Sequence, residues 1–217
     1  MRRLLVPAAI LALLAAPAGV MAQGFALGGQ AGTMGIGGSA IIGLTSKLNV
    51  RGEINTFLIE PEVEFSDVPF KIELPTMARI LVDFYPAGGF HITGGLFFGG
   101  TVETKGDFEV NETIEIGDMT YTGSDVGTLT GRLDLGDASP YVGIGFGNPV
   151  GKTIGLNLDL GVAFTGEPTV DLDATGGPIV NDPTFQAELR KEESNIQDDA
   201  GVLKAYPVIS IMISIGF

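Results

Sequence analysis

The last twelve residues, 206–217, constrain the fold of this chain most strongly. From Ile209 onward every second residue is large and apolar, and these residues are Ile209, Ile211, Ile213, Ile215 and Phe217. The residues between them are smaller or more polar. A period of two predicts a β-strand with two different faces. In a water-soluble sheet such a strand favours aggregation, whereas in a closed barrel its apolar face contacts lipid and no edge stays free.

The first 22 residues have the organisation of a secretory signal peptide. Arg2 and Arg3 form a basic start, and residues 4–16 form an apolar run that is short for a bilayer span. Small residues precede Gln23, so we predict cleavage before Gln23; a retained membrane anchor is the alternative. The remaining residues, 23–217, are enough for one domain, which we assign to a barrel.

Charge and composition exclude several classes of function. The formal net charge is −14, and it becomes −16 without the two arginines of the predicted signal peptide. Such an acidic protein is a poor partner for nucleic acid. The chain has no cysteine, which excludes disulfides and thiolate chemistry. Its apolar residues are scattered rather than clustered, which favours alternating strands over helices.

Seven stretches before the terminal strand show strand periodicity: 33–45, 48–58, 76–86, 90–102, 128–136, 140–148 and 154–165. With the terminal strand they make eight. Short strands at 24–31 and 168–175 would raise the number to ten. If the turns at 45–47, 86–89 and 136–139 share the periplasmic side, the first strand must start outside the cell and run inward. This conflicts with a chain whose two termini both lie in the periplasm, and ten strands would remove the conflict. We favour eight strands and keep ten open.

One segment has a helical rather than a strand period. Asp182 and Pro183 suit the N-cap and first position of a helix. The apolar residues of one helical face follow, and they are Phe185, Leu189, Ile196, Ala200 and Leu203. We predict an amphipathic helix over about 183–204, directly before the last strand. We expect it to pack against the barrel rim or neighbouring loops, with a partner-binding or membrane-surface helix as the alternative.

The whole pattern resembles the small outer-membrane β-barrels of Gram-negative bacteria, of the OmpA-, OmpX- and OmpW-like types. The run PYVGIGFG at 140–147 is similar to the strand that follows a periplasmic turn in OmpW-like barrels, and residues 206–217 take the place of their last strand. The resemblance implies a closed antiparallel transmembrane β-barrel, surrounded by outer-membrane lipid and lipopolysaccharide. It also implies that the assembly machinery recognises Phe217. We expect a monomer. The chain has no Trp and four Tyr, so its aromatic girdles must consist of Phe.

The inward faces of the predicted strands carry charges of both signs. The candidate lumen residues are Arg51, Glu53, Arg79, Asp83, His91, Arg132, Asp134 and Asp159. An eight-stranded barrel is just wide enough for its side chains to fill it, and buried charges need partners. We therefore predict a lumen closed by a network of ion pairs and hydrogen bonds. The alternative is a narrow channel for small solutes, as in OmpW-like barrels, which a ten-stranded wall would favour.

Catalytic and cofactor chemistry have little support in the sequence. His91 is the only histidine, and a serine hydrolase would need it beside a nucleophile at the outer leaflet. His91 follows the turn at 86–89, which we place on the periplasmic side. The acidic pairs Asp171/Asp173 and Asp198/Asp199 lack the spacing of a calcium loop. The glycines at 35–38 are not followed by a helix, so they do not form a phosphate-binding loop. We expect a structural or surface-interaction role without cofactor, and a lipid-modifying enzyme is the second alternative.

Overall fold

The computed structural model describes residues 24–59, 62–65, 68–107 and 112–217. The predicted signal peptide lies outside the described residues. Within them the chain forms fifteen strands, numbered β1 to β15 along the sequence, and eight of these close into a barrel. The barrel strands are β1 (Gly24–Gly32), β2 (Gly35–Thr45), β3 (Leu48–Thr56), β6 (Met77–Ala87), β7 (Phe90–Phe98), β12 (Ser139–Phe146), β13 (Ile154–Ala163) and β15 (Tyr206–Gly216).

The barrel wall is antiparallel throughout, in the order β1-β15-β13-β12-β7-β6-β3-β2. Closure comes from β1, which pairs with β2 on one side and with β15 on the other. Phe25 and Phe217 exchange backbone hydrogen bonds at the start of β1 and just after the end of β15, with N–O distances of 3.2 and 2.7 Å. Because the first and last strands are joined, the wall has no edge. The prediction of eight strands is confirmed.

The two ends of the barrel differ in the length of their connections. The end that holds Phe25 and Phe217, here called the termini end, has the short connections 46–47, 88–89 and 147–153. The opposite end, the loop end, has a two-residue turn at 33–34 and the three long connections 57–76, 99–138 and 164–205. Gly88 has a φ of 56°, a backbone conformation that favours glycine in a tight turn.

The three long connections contribute to a second folded unit, here called the loop domain. Its main sheet has the order β14-β11-β8-β5-β4 and consists of β4 (Glu62–Phe65), β5 (Val68–Glu73), β8 (Thr101–Asp107), β11 (Gly127–Asp134) and β14 (Thr169–Gly176). The loop domain also contains a small antiparallel hairpin of β9 (Thr113–Ile116) and β10 (Met119–Thr122), followed by a helical turn at Gly123–Val126.

The long helix of the loop domain spans Pro183–Asp199 and continues as a 3-10 helix over Ala200–Lys204. Asp182 caps it, since its carboxylate accepts hydrogen bonds from the backbone N–H groups of Thr184 and Phe185 at 2.8 and 3.2 Å. Phe185 and Leu189 are buried in a core that they share with the hairpin and with the main sheet of the loop domain. The predicted helix and its start are confirmed, and it packs on the loop-domain sheet.

The structure corrects which stretches form the barrel. The stretch 128–136 is not a barrel strand, because β11 pairs with β8 and β14 in the loop domain. The stretch 168–175 also lies there, as β14, whereas the optional stretch 24–31 is barrel strand β1. Alternation indicates only that a strand has two different faces, and a sheet with one face on a helix satisfies it as well as a barrel wall does.

The predicted position of the turn at 136–139 was wrong for the same reason. The predicted turn at 136–139 overlaps the connection 135–138, which joins β11 of the loop domain to β12, and β12 runs from the loop end to the termini end. This connection is therefore at the loop end and not beside the turns at 45–47 and 86–89. With this connection at the loop end, eight strands bring Gly24 and Phe217 to the same end of the barrel, and the apparent conflict in strand direction disappears.

Candidate functional site: the barrel lumen

Arg51 is the centre of the polar network inside the barrel. Its guanidinium donates two hydrogen bonds to the carboxylate of Asp159, Nη1 to Oδ2 at 2.9 Å and Nη2 to Oδ1 at 2.8 Å. Nη2 also donates to Asp83 Oδ1 at 3.1 Å, and Nε lies 3.3 Å from Glu53 Oε1. β3 and β13, which carry Arg51 and Asp159, are four places apart in a ring of eight. The pair therefore spans the full diameter of the lumen.

Arg79 makes a second crossing. Its Nε donates to Glu53 Oε2 at 2.7 Å, and Nη2 donates to Ser210 Oγ at 3.4 Å. β6 and β15, which carry Arg79 and Ser210, also face each other across the ring. The guanidinium carbon of Arg79 lies 5.0 Å from the centre of the Tyr141 ring, within the range of a cation–π contact. Gln30 also contacts Glu53, since its Nε2 donates a hydrogen bond to Glu53 Oε2 at 3.1 Å.

His91 is buried and contacts a carboxylate. Its Nε2 lies 2.9 Å from Asp159 Oδ1, and its Nδ1 has no hydrogen-bond partner. The hydroxyl of Thr93, two residues along β7, donates to Asp83 at 2.7 Å. Neither ring nitrogen of His91 therefore contacts a nucleophilic hydroxyl. The arrangement that a serine hydrolase requires is not formed at this histidine.

The charged groups of this network are almost completely removed from water. The side chains of Arg51, Glu53, Arg79, Asp83, His91 and Asp159 are at most 2% exposed. A buried charge is tolerated when opposite charges and hydrogen bonds compensate it. Each of the two arginines here has at least one carboxylate partner, so both buried cations are paired directly with opposite charge.

Apolar clusters lie on both sides of the charges. Toward the loop end the buried residues are Met34, Met77, Leu81, Phe97, Leu135, Tyr141, Ala163 and Val208. Leu135 belongs to the connection after β11, so the loop domain itself contributes to this cluster. Toward the termini end Ala26, Ile41 and Met212 pack together, with Val150 of the 147–153 connection against them. The polar network is thus enclosed along the barrel axis.

Inward glycines make room for the largest inward side chains. A Cβ at Gly161 would lie 2.2 Å from the Tyr141 hydroxyl, and one at Gly143 would lie 2.7 Å from it. At Gly145 a Cβ would lie 2.3 Å from His91 Nε2. Small and large residues therefore alternate across facing strands, which fills the interior of a small barrel. Sequence reasoning missed this role of the glycines, because matching a glycine to its large neighbour requires the strand register.

The structure brings together six of the eight predicted lumen residues: Arg51, Glu53, Arg79, Asp83, His91 and Asp159. The prediction for Arg132 and Asp134 is wrong. They lie on β11 in the loop domain, where Arg132 pairs with Glu103 at 3.3 Å and the two side chains are 46% and 38% exposed. Asp134 accepts a hydrogen bond from the backbone N–H of Gly136 at 2.8 Å and so stabilises a turn.

Besides Thr93, which donates to Asp83, the lumen site includes Gln30, Ser210 and Asn55. Gln30 and Ser210 contact Glu53 and Arg79 as described, and Asn55 accepts a hydrogen bond from Gln30 at 2.8 Å. The signal for Asn55 was present, since it has the same strand parity as Arg51 and Glu53. Gln30 was missed because its strand was only optional, and Ser210 because it lies among apolar neighbours.

The outer surface of the barrel is an apolar belt. Its exposed residues include Leu156, Leu158, Leu160, Ile209, Ile211 and Ile213. Along β13 the outward row runs from Ile154 to Phe164, ten residues farther on. At about 3.3 Å per residue and a strand tilt of about 40°, this row is about 25 Å tall, the height of a lipid-facing band. No helix in the described part of the chain is long and apolar enough to cross a membrane.

The termini end of the belt carries a ring of phenylalanines. They are Phe25, Phe84, Phe90, Phe146 and Phe217. The rings of Phe25 and Phe217 stack with their centres 6.3 Å apart, and Phe217 is 74% exposed. Aromatic side chains are typical of the membrane–water boundary of such barrels. The girdle thus consists of Phe at this end.

A closed wall, an apolar belt and a polar filled interior define this chain as a transmembrane β-barrel of eight strands. Two solved structures share the fold, both from Acinetobacter baumannii. The chain is 19% identical to CarO2, with 89% of this chain and 98% of CarO2 covered and a TM-score of 0.60. It is 18% identical to CarO, with 91% and 98% covered and a TM-score of 0.54. No family model matches the sequence, and no curated protein sequence matches it.

Proposed function

We propose that this chain is an integral outer-membrane β-barrel of a Gram-negative cell, with a lumen closed to solutes, that holds the loop domain at the cell surface. The observation that carries the proposal is the pair of contacts across the barrel diameter, Arg51 to Asp159 and Arg79 to Ser210. Groups bonded across the lumen occupy the path that a solute would need. The role is structural or interactive and not enzymatic, consistent with a buried His91 that lacks a nucleophile partner.

The outer membrane is the location that the architecture favours. An apolar belt about 25 Å tall requires lipid, and β-barrels of this kind are typical of the Gram-negative outer membrane. The surrounding partners would be outer-membrane lipid and lipopolysaccharide, and one chain closes the wall without a second copy. The exposed acidic residues of the loop domain make nucleic acid an unsuitable partner.

Surface display of the loop domain is testable by single-cysteine labelling, because the chain has no cysteine of its own. Asp173 is exposed on β14, and Lys152 is exposed in the 147–153 connection at the termini end. We expect an impermeant maleimide to label Asp173→Cys on intact cells and Lys152→Cys only after the outer membrane is permeabilised. The reverse pattern would show that the loop domain faces the periplasm. A protein found in the soluble fraction would overturn the membrane location itself.

We also propose that Phe217 is the residue that the assembly machinery recognises. It follows β15 directly, its ring is exposed, and its backbone already closes the wall against Phe25. Since the backbone bonds do not need the ring, Phe217→Ala should slow insertion only when the machinery is present. The measurement is the folding rate in vesicles with and without reconstituted machinery. Equal slowing in both preparations would assign Phe217 to barrel stability instead.

A further inference from the structure

The most exposed aliphatic side chains of the described residues lie at the loop end of the barrel. Leu58, Ile59 and Val202 are 77%, 76% and 80% exposed, more than the belt residues Leu158 and Ile211. We propose that they form two rim patches that insert into the lipid leaflet at the loop end and fix the loop domain against the membrane surface. This inference rests on the proposed membrane location of the barrel.

The first patch, here called the β3 rim patch, consists of Leu58 and Ile59. Leu58 has the strand parity of the lipid-facing residues Leu48, Val50 and Ile54 and continues their row beyond the end of β3. Leu48 and Leu58 are ten residues apart, the same separation as the ends of the outward row on β13. Leu58 lies at a bend two residues past the end of β3 and at the same sequence distance from the termini end as Phe164, and Ile59 follows it directly.

The second patch, here called the β13 rim patch, consists of Phe164 and Val202. Phe164 is 50% exposed and continues the lipid-facing row of β13. Two contacts hold the 3-10 helix with Val202 beside it: Thr165 Oγ1 donates to the carbonyl of Leu203 at 2.5 Å, and Lys204 Nζ lies 2.9 Å from Glu167. These contacts hold the segment that carries Val202 beside residues 165–167, which directly follow the belt residue Phe164. Lys204 is suited to extend its ammonium group from the interface into water.

The two patches face each other across the barrel. β3 and β13 are four places apart in the closed ring of eight strands. The circle of phenylalanine residues found at the termini end has no counterpart among the described residues of the loop end. There Phe98 is half-buried, and Phe164 is exposed. Aliphatic side chains on opposite sides then supply the anchoring that aromatic residues supply at the other end. Lipid is the occupant that continuity with the belt indicates.

Depth measurements with spin labels test this inference. Single cysteines would be introduced and labelled with a nitroxide at Ile59 and Val202, at Leu158 in the middle of the belt, and at Met119 on the loop-domain hairpin. Met119 is also an exposed apolar residue, so it is a matched reference for water. In phosphatidylcholine vesicles, we expect the ratio of oxygen to nickel-chelate accessibility to be highest at Leu158. At Ile59 and Val202 it should be intermediate, and several-fold above Met119.

The outcomes separate the inference from the proposed function. Ratios at Ile59 and Val202 equal to that at Met119, with a high ratio at Leu158, would overturn the rim patches and leave the membrane barrel intact. A low ratio at Leu158 would overturn the membrane location and the patches with it. Spin–spin broadening at Val202 that disappears on dilution with unlabelled protein would identify a second copy of the chain as the occupant, which also overturns the lipid assignment.

Discussion

Arg51 and Arg132 lie in strands with similar alternating sequences and have opposite environments. Arg51 is buried among Asp159, Asp83 and Glu53, whereas Arg132 is exposed on the loop-domain sheet beside Glu103. An exposed ion pair contributes little because water and salt screen it. A buried charge that loses its partner is strongly destabilising because nothing else compensates it. The two arginines therefore form a natural comparison within one chain.

Arg51→Met should destabilise the barrel by about 3–5 kcal/mol, because Asp159, Asp83 and Glu53 lose their shared cation inside the lumen. Arg132→Met, the matched control, should change the free energy of unfolding by ~0–1 kcal/mol. The measurement is urea-induced unfolding in detergent micelles, followed by heat-modifiable gel mobility. Equal effects of the two substitutions would contradict a buried, compensated network.

Strand parity assigns the face of a residue when its strand belongs to the barrel wall. Arg51, Glu53, Arg79 and Asp83 face inward because they alternate with apolar residues on strands that do belong to the wall. The same rule failed for Arg132, since parity gives the face of a strand and not the sheet that contains it. The alternation on β11 fits its true environment, where Leu129 is buried against the helix and Arg132 faces water.

At the scale of elements, the long helix protects an edge of the loop-domain sheet. β14 is the last strand on one side, so alternate N–H groups point away from the sheet. Gln197 accepts from the N–H of Val170 at 2.8 Å, and Glu193 accepts from the N–H of Leu172 at 3.3 Å. Gln197 also donates to the carbonyl of Pro168. These helix side chains take the place of a further strand.

Replacing both Glu193 and Gln197 by Ala should expose this edge. We expect faster amide hydrogen exchange at Val170 and Leu172, because their hydrogen-bond acceptors are removed while the helix itself is retained. Asp198→Ala is the control, since Asp198 is exposed on the same helix. Exchange would be followed on the residues of β14 by mass spectrometry. Unchanged exchange in the double variant would mean that other groups protect the edge.

The helix and the number of barrel strands could be predicted from the sequence more reliably than the identity of each barrel strand. The cap at Asp182 and the helical period gave the helix, because both are local signals. Assigning strands to the barrel depends on long-range pairing, such as β7 with β12 across a connection of forty residues, 99–138. No local pattern specifies which of several alternating stretches continues such a wall. The number eight was predicted correctly, although the stretch 128–136, which was counted among the eight, lies outside the wall and the optional stretch 24–31 takes its place.

At the scale of the whole molecule, three features act together. The apolar belt places the barrel in lipid. The phenylalanine residues of the termini end and the proposed rim patches of the loop end mark the two boundaries of this belt. Inside the barrel, groups bonded across the diameter and apolar clusters on either side of them support the proposed closed lumen. The loop domain is built from three connections that leave the same end, so the barrel fixes its position relative to the membrane.

Single-channel recording in planar lipid bilayers tests the closed lumen most directly. The filled interior predicts no discrete conductance steps from the wild-type protein at any voltage that the bilayer withstands. Asp159→Asn would serve as the companion variant, because it removes one charge from the network that crosses the lumen, with little change in side-chain shape. Reproducible steps from the wild type, with an ion selectivity that Asp159→Asn alters, would show permeation through the lumen and contradict the closed barrel.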